Sequence, residues 1–499
     1  EAGDREALEQ VFVQPGFIDA RRLRMRNLLE LPAALASGDI SVLHHSAHID
    51  QYPDLVWLRD RHVSPQAPPV PVTGQIHSLS YPRMMGSYLR TMLHPPGPHD
   101  AIFCSSRAGR DAVQRSFDAA AAALARLGAS APRPTCEFPV VPLGIDTERL
   151  QGGDRAATRA RLEIPADAVV VLGLGRFTEY DKMDLFPLVQ SFARVLSRRS
   201  PSQPPLRLLL AGARQGTRTP EMLHLWAQAL GIGDAVILNV DFGDDDKRHL
   251  LAAADLFVSP CDNLQETFGI SVIEALAAGL PAVVSDFDGY KDTVTPDVGI
   301  RIPTRWNPDL SFVSDLAPVL YERPLHLLLG QSVEVDLSAL EIALDDLCGD
   351  TDRRADMSRR AAERATALFD WRVIIPAYEA IWKVLAARPS EVRPRPDHHP
   401  LAMSFGDIFA SFPTEALDPA RVLRPSPLAR TLCATYNGYV IYPELRNVFS
   451  NDDVMAALAQ ASPSTTLGAL TAALVPRWPA DPWRVTFLTT WLIKHGLLM

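Results

Sequence analysis

ETFGISVIEALAAG, residues 266–279, decides how the rest of this chain is read. Two carboxylates, Glu266 and Glu274, enclose a stretch that turns from a glycine loop into a helix. Gly269 lets the backbone approach a ligand with no side chain between them, and a helix starting beside it presents unpaired N–H groups and a positive dipole end to an anion such as a diphosphate. Glu274 falls about one turn further on, where an acceptor-only carboxylate suits the two hydroxyls of a ribose; Glu266, before the turn, is left for a neutral group rich in hydroxyls. The same string also reads as an amphipathic helix closed by Gly279 and Pro281, with Glu274 on its exposed face. The neighbours favour the first reading. DLFVSP (255–260) and PAVVSD (281–286) are short apolar runs fit for buried parallel strands, so the helix becomes the crossover of a β-α-β unit. In open α/β sheets, loops at strand C-termini line the ligand crevice, and Glu266 lies in such a loop.

Further out, strand-like runs alternate with helical ones, the rhythm of a parallel α/β architecture. Strands or strand ends are expected at VFVQPG (11–16), ISVLHHSA (40–47), PVTGQIHS (71–78) and DAIFCSS (100–106), forming a first Rossmann-like domain over 1–155. A second begins at VVVLGLG (169–175) and, with its closing helices, occupies 156–386; residues 306–335 read as an insertion in it. The proline-rich, charged run ARPSEVRPRPDHHP (387–400) is expected to be a stiff linker. Residues 401–499, rich in alanine and leucine and balanced in charge, suggest a small, mainly helical accessory domain, with a winged-helix-like bundle as one arrangement and protein interaction as its expected role.

The chain has 499 residues, enough for two to four domains. A net charge of −10 argues against a general nucleic-acid binder. Five cysteines, far apart and without a C-x-x-C pair, suggest neither a disulfide framework nor a zinc site and fit a reducing compartment. No apolar run reaches the roughly 18 residues of a membrane span, and no signal peptide opens the chain. The expected location is the cytoplasm, with peripheral attachment at the inner membrane left open. Glu1 in place of a methionine leaves open a longer N-terminus.

The residues quoted so far resemble the retaining glycosyltransferases of family four, which have the two-domain GT-B fold and the signature E-x-F-G followed by a second glutamate. That signature stands here as Glu266, Phe268, Gly269 and Glu274. The resemblance extends through VVPLGID (140–146), VVLGLGRF (170–177) with Asp181 and Lys182 beyond it, LLLAG (208–212), and ADLFVSPCDNLQETFG (254–269). It implies two Rossmann-like domains facing a cleft, a UDP- or GDP-sugar donor, and retention of anomeric configuration without a metal or cofactor. It also implies that the helix after the break at Phe369 to Trp371 crosses back onto the first domain.

Transfer of a sugar needs the leaving diphosphate stabilised, the sugar hydroxyls oriented, and an acceptor hydroxyl guided to the anomeric carbon. Arg176 and Lys182 match the family's phosphate-holding positions; a planar guanidinium fork and a compact ammonium together suit a pyrophosphate. Glu266 is expected at the sugar hydroxyls, aided by the backbone N–H groups of Thr267, Phe268 and Gly269. His77 matches the family's histidine at the end of an N-domain strand, with His44 and His45 as weaker candidates. Gly16, the remnant of the usual N-terminal glycine loop, and Arg107 are candidates for a phosphate or acceptor loop. Asp244 to Asp246 and Asp286 to Asp288 are literal D-x-D strings, but neither comes with the other ligands a hard cation needs. Gly173-x-Gly175 is not followed by the third glycine of a dinucleotide fingerprint, since Thr178 stands there. The acceptor stays open among a glycan, a lipid-linked sugar, a small molecule and a protein. A GT-B phosphorylase or sucrose-synthase-like enzyme, and a non-catalytic sugar-nucleotide-binding module acting through its C-terminal domain, remain as alternatives.

Overall fold

The run VVVLGL forms strand β4 (Val169–Leu174), all of it buried. Its residues alternate between two apolar cores: Val170, Leu172 and Leu174 pack with Leu209, Phe257 and Ile273, whereas Val169 and Val171 pack with Phe192, Leu208 and Leu344. A strand covered on both faces must be apolar throughout, which is why this segment reads as a continuous hydrophobic run. Around it β5 (Leu206–Gly212), β6 (Val236–Val240), β7 (Leu256–Ser259), β8 (Ala282–Ser285) and β9 (Gly299–Ile302) form a six-stranded sheet in the order β6-β5-β4-β7-β8-β9. All its pairings are parallel. The order reverses at β4, so the loops after β4 and β7 open on one crevice.

The computed structural model describes every residue except 1–5, 14–18, 25, 49–50, 82, 131, 244, 390–395, 436–440 and 480. The chain divides into two compact units, Ile40–Asp397 and a second made of Glu1–Asp39 with His398–Met499. Within the first unit a smaller parallel sheet, β1 (Leu43–His45), β2 (Val72–Gln75) and β3 (Ala101–Phe103), precedes the large one. Of the strand expected at 11–16 the described part, Val11–Val13, belongs to a π-helical turn, Glu9–Val13, and the rest of the run, Gly16 included, lies outside the described residues. Three apolar residues, Val11 to Val13, are too short a run to separate strand from helix by period.

One face of the small sheet, through Ile102 and Cys104, packs on Tyr52, Tyr88 and Phe117. The other, through Ala101 and Phe103, packs on Ile374 and Leu385 of the helix Trp371–Ala386. That helix follows the helix Thr351–Phe369 after a break at Asp370, whose carboxylate accepts from Arg372 N at 2.9 Å and from Thr147 Oγ1 at 2.5 Å. The chain thus returns from the large sheet to the small one, and their facing strand ends stay together.

The stretch read as an insertion is an antiparallel pair, β10 (Thr304–Trp306) with β11 (Val333–Val335), carrying the helices Ser311–Leu316 and Glu322–Gly330 between them. In the second unit, the helices Asn451–Gln460, Leu467–Leu474 and Trp483–Lys494 enclose a core that includes Val454, Leu470, Leu488 and Trp491. A two-residue antiparallel ladder, Val422–Leu423 with Thr465–Thr466, is attached to it. Among the described residues no helix is long and apolar enough to cross a membrane.

Candidate active site

Between the two sheets lies a cavity of about 740 Å³, walled on one side by Gln75 to Ser78 and on the other by the loops after β4 and β7. The crevice side of the large sheet is shaped by glycine at two places. Gly269 has φ +96° and opens the helix Ile270–Ala277; a Cβ there would stand 2.3 Å from Tyr290 Cε1, so no other residue fits without displacing that ring. Gly175 lies under the Lys182 stem, where a Cβ would meet Lys182 Cε at 3.0 Å. The bare backbone lets the lysine lie across the end of β4 and reach Glu266.

Lys182 Nζ donates to Glu266 Oε2, with both side chains mostly buried. Burial alone would push the Glu266 carboxyl up, but the Lys182 charge and hydrogen bond, the Phe268 N–H and the Tyr290 hydroxyl outweigh it and hold the pKa below the ordinary value. Tyr290 Oη also lies 2.8 Å from Ser259 Oγ at the end of β7, which fixes the ring beneath the glycine turn. Glu266 is therefore an oriented carboxylate. Glu274, inside the helix and 9% exposed, accepts from Lys247 Nζ at 2.7 Å. The helix N-terminus lies between these two charge pairs, and its first N–H groups have no intrahelical acceptor. Arg176 is exposed at the cavity wall, its Nη2 donating to the Asp181 carbonyl at 3.1 Å.

Of the expected site residues, Arg176, Lys182, Glu266, Thr267, Phe268, Gly269 and Glu274 line this one cavity, and His77 lines it from the small sheet. His77 is exposed, with Nδ1 3.3 Å from Ser78 Oγ. The Phe268 N–H, expected to help hold the sugar, donates to the Glu266 carboxylate instead. Arg107 is placed elsewhere: its N and Nε donate to Asp292 at 2.6 and 2.7 Å, tying the two halves together beside the cavity. His44 is packed against Phe103, Tyr378 and Trp382, and burial lowers its pKa to about 4, so it is a neutral structural ring. His45 Nδ1 lies 2.7 Å from the Ala47 carbonyl. Gly16 is outside the described residues.

Asp245 is the cap residue of the helix Asp246–Ala253; Asp244 is not described. Asp286 pairs with Arg301 at 3.2 Å, and Asp288 accepts from Ser106 Oγ at 3.3 Å across the cleft. Among the described residues no three His, Cys, Asp or Glu side chains converge as metal ligands would.

Sequence reasoning missed Lys247, Tyr290, Gln265, Tyr81 and the pair Glu322 and Arg323, of which all but Tyr290 line the cavity. Lys247 follows the acidic string and reads as a helix start; only the fold reveals that the string's helix lies beside Glu274.

The family description that matches this chain is glycosyl transferases group 1, over residues 154–313, the segment that carries β4 to β9 and both glutamates. Over that segment the chain is similar to the glycosyl transferases group 1 family. Its fold is GT-B, and its relatives are glycosyltransferases. It is 29% identical over 355 residues to the D-inositol 3-phosphate glycosyltransferase of Geodermatophilus obscurus, a match covering 67% of this chain and 74% of that one. The protein of the same name from Saccharomonospora viridis is 34% identical over 169 residues, 33% of this chain and 38% of its own length. The second match therefore spans well under two thirds of the relative it concerns. A glycosyltransferase structure from Rickettsia africae shares the fold, with TM-score 0.51 and 11% identity over 74% of this chain and 84% of that one.

Proposed function

We propose that this protein transfers a sugar from a nucleoside-diphosphate sugar to an acceptor hydroxyl, with retention at the anomeric carbon and without a metal ion. The observation that carries this reading is the Lys182–Glu266 pair beside the left-handed Gly269 turn, in a cavity that His77 closes from the facing sheet. The helix N-terminus, Lys182 and Arg176 suit the diphosphate, and fixed charges in a site of restricted solvent stabilise the leaving group without reorganising. Glu274 suits the ribose. Its partner Lys247 holds the carboxylate at the cavity wall through one oxygen, Oε1, at 2.7 Å.

Glu266 is an ionised carboxylate oriented by Lys182 and Tyr290 at Oε2, and as an acceptor it suits sugar hydroxyls. A double displacement would need a carboxylate beneath the anomeric carbon. Glu266 is committed to Lys182, Phe268 and Tyr290, which supports instead a same-face route in which the departing phosphate oxygen takes the acceptor's proton. The bond from anomeric carbon to phosphate oxygen breaks as that to the acceptor oxygen forms, and the proton passes between the two oxygens. Contacts across the cleft, Ser105 Oγ to the Thr267 carbonyl at 3.3 Å and Arg107 to Asp292, support closure over the donor and exclusion of water.

The names of the relatives make D-inositol 3-phosphate the first acceptor to try. Turnover of UDP-glucose and GDP-mannose by wild type and Glu266→Ala, with the product anomer read from its NMR coupling, tests the proposal. Loss of about 10²-fold in the variant and an unchanged anomer in the product are expected; equal turnover or an inverted product would contradict it.

A further inference from the structure

The helix Glu322–Gly330 belongs to the excursion between β10 and β11, much of which faces solvent: Val319 is 76% and Tyr321 85% exposed. Its inner side carries a histidine. His326 is 1% exposed, and its ring touches three loops that are far apart in sequence. Nε2 lies 3.1 Å from Ser80 Oγ and 3.3 Å from the Ser80 carbonyl. Gln265 Nε2 lies 2.8 Å from the ring nitrogens, and Asp181 Oδ1 is 3.9 Å from Nδ1. The Tyr81 ring packs against it at 5.5 Å between centroids.

The ordinary explanation of a buried histidine is a satisfied core residue, whose partners would be wherever packing put them. Here each partner is next to the chemistry. Ser80 follows His77 in the same loop, Gln265 immediately precedes Glu266, and Asp181 immediately precedes Lys182. Tyr81, Asp181 and Gln265 themselves line the cavity, as do Glu322 and Arg323 one turn earlier on the same helix. We propose that His326 is a positioning residue of the transfer reaction, a clasp that holds the His77 loop of the small sheet against the Glu266 loop of the large one. This rests on the function proposed above.

A neutral ring meets these demands. The Ser80 carbonyl can only accept, so Nε2–H donates to it, and Nδ1 then accepts an N–H of Gln265. Burial lowers the pKa and keeps the ring in that form, with Ser80 and Asp181 opposing the shift less strongly. Without the imidazole the His77 loop loses its tie to the donor side, and a misplacement of about 1 Å at reacting groups costs on the order of 10²-fold in rate.

The test uses the full chain and three proteins: wild type, His326→Ala and His326→Gln, whose amide can still donate to the Ser80 carbonyl. Amide exchange is followed by mass spectrometry, affinity for UDP and GDP by calorimetry, and turnover with UDP-glucose or GDP-mannose, whichever matches the tighter nucleotide. In His326→Ala, exchange is expected to quicken in residues 77–81 and 263–267 with β4 unchanged, and kcat to fall by about tenfold or more while nucleotide affinity stays within about twofold. His326→Gln should recover most of both losses. Unaltered exchange in the two loops would overturn the inference. So would a parallel fall of affinity, kcat and Tm in both variants, the mark of a residue that only packs. A wild type that binds neither nucleotide would instead remove the functional reading, a result obtained without either variant.

Discussion

The two walls of the cleft are built on one plan, parallel strands with helices on both faces, yet they are held together differently. The six-stranded sheet is clasped between two apolar cores, with Leu172, Leu208, Phe257 and Val258 fully buried. The three-stranded sheet has less hydrocarbon and a charged staple. Asp100, fully buried at the start of β3, accepts from Arg59 Nη1 and Nη2 at 2.8 and 3.0 Å, from Val72 N at 2.9 Å and from Gly97 N at 2.8 Å. Burial opposes the Arg59 charge, but Asp100 and Asp60 outweigh it and raise the pKa above the ordinary range. Hydrocarbon gives tolerance, since neighbouring side chains can relax; a desolvated ion pair has no substitute once one partner is gone.

The largest expected effect breaks the staple. Asp100→Ala takes one of two carboxylate partners from the buried Arg59 guanidinium, which keeps Asp60 and the Val70 carbonyl, and removes the acceptor of the Val72 and Gly97 N–H groups; it should cost about 3–5 kcal/mol in urea unfolding. Leu172→Ala, in the middle of β4, should cost about 2–5 kcal/mol. If Asp100→Ala proved milder than Leu172→Ala, the contrast between the two walls would be wrong.

Chemistry divides along the same line. Lys182→Ala removes the charge proposed to meet a phosphate and should weaken UDP or GDP binding by about 1.5–3 kcal/mol. Arg176→Ala, at an exposed position, should weaken it less. An order reversed from this would shift the phosphate toward the mouth of the cavity.

A smaller effect concerns the seam between the walls. Burial raises the Asp288 pKa from 3.8 to about 7, against the Ser106 hydrogen bond and helped by the charge of Glu266. A carboxyl with a raised folded pKa holds its proton more tightly in the native state. Its contribution to stability is complete below the ordinary value and is lost as the pH rises through about 7. The Tm advantage of wild type over Asp288→Asn should therefore shrink from pH 4 to pH 8; a constant difference would mean that Asp288 titrates normally.

How much of this was legible in the sequence follows the same division. The large sheet was read in part: β4, β7 and β8 fall in continuous apolar runs singled out as strands, whereas β6 and β9 were not, and the residues read as ligands lie close to glycine turns. The facing wall was read in part: Val72–Gln75 and Ala101–Phe103 fall within the expected runs, but Val11–Val13, the described part of 11–16, lies in a π-helical turn. Arg107, placed in a C-S-S-R loop after a strand, looked like a cleft residue; its partner Asp292 lies 185 residues away, and nothing local reveals it. His326 was hidden for the same reason. A histidine in an excursion has no motif, and its meaning comes from Ser80 and Gln265 meeting it in space.

The central claim is that Lys182 serves the diphosphate and Glu266 the sugar, although the two are paired. Calorimetry with UDP and GDP on wild type, Lys182→Ala and Glu266→Ala tests it most directly. Affinity is expected to fall by about tenfold or more in Lys182→Ala, and to hold or rise in Glu266→Ala, where the lysine is released from its carboxylate. Equal affinity in all three proteins, or a loss confined to Glu266→Ala, would contradict the assignment.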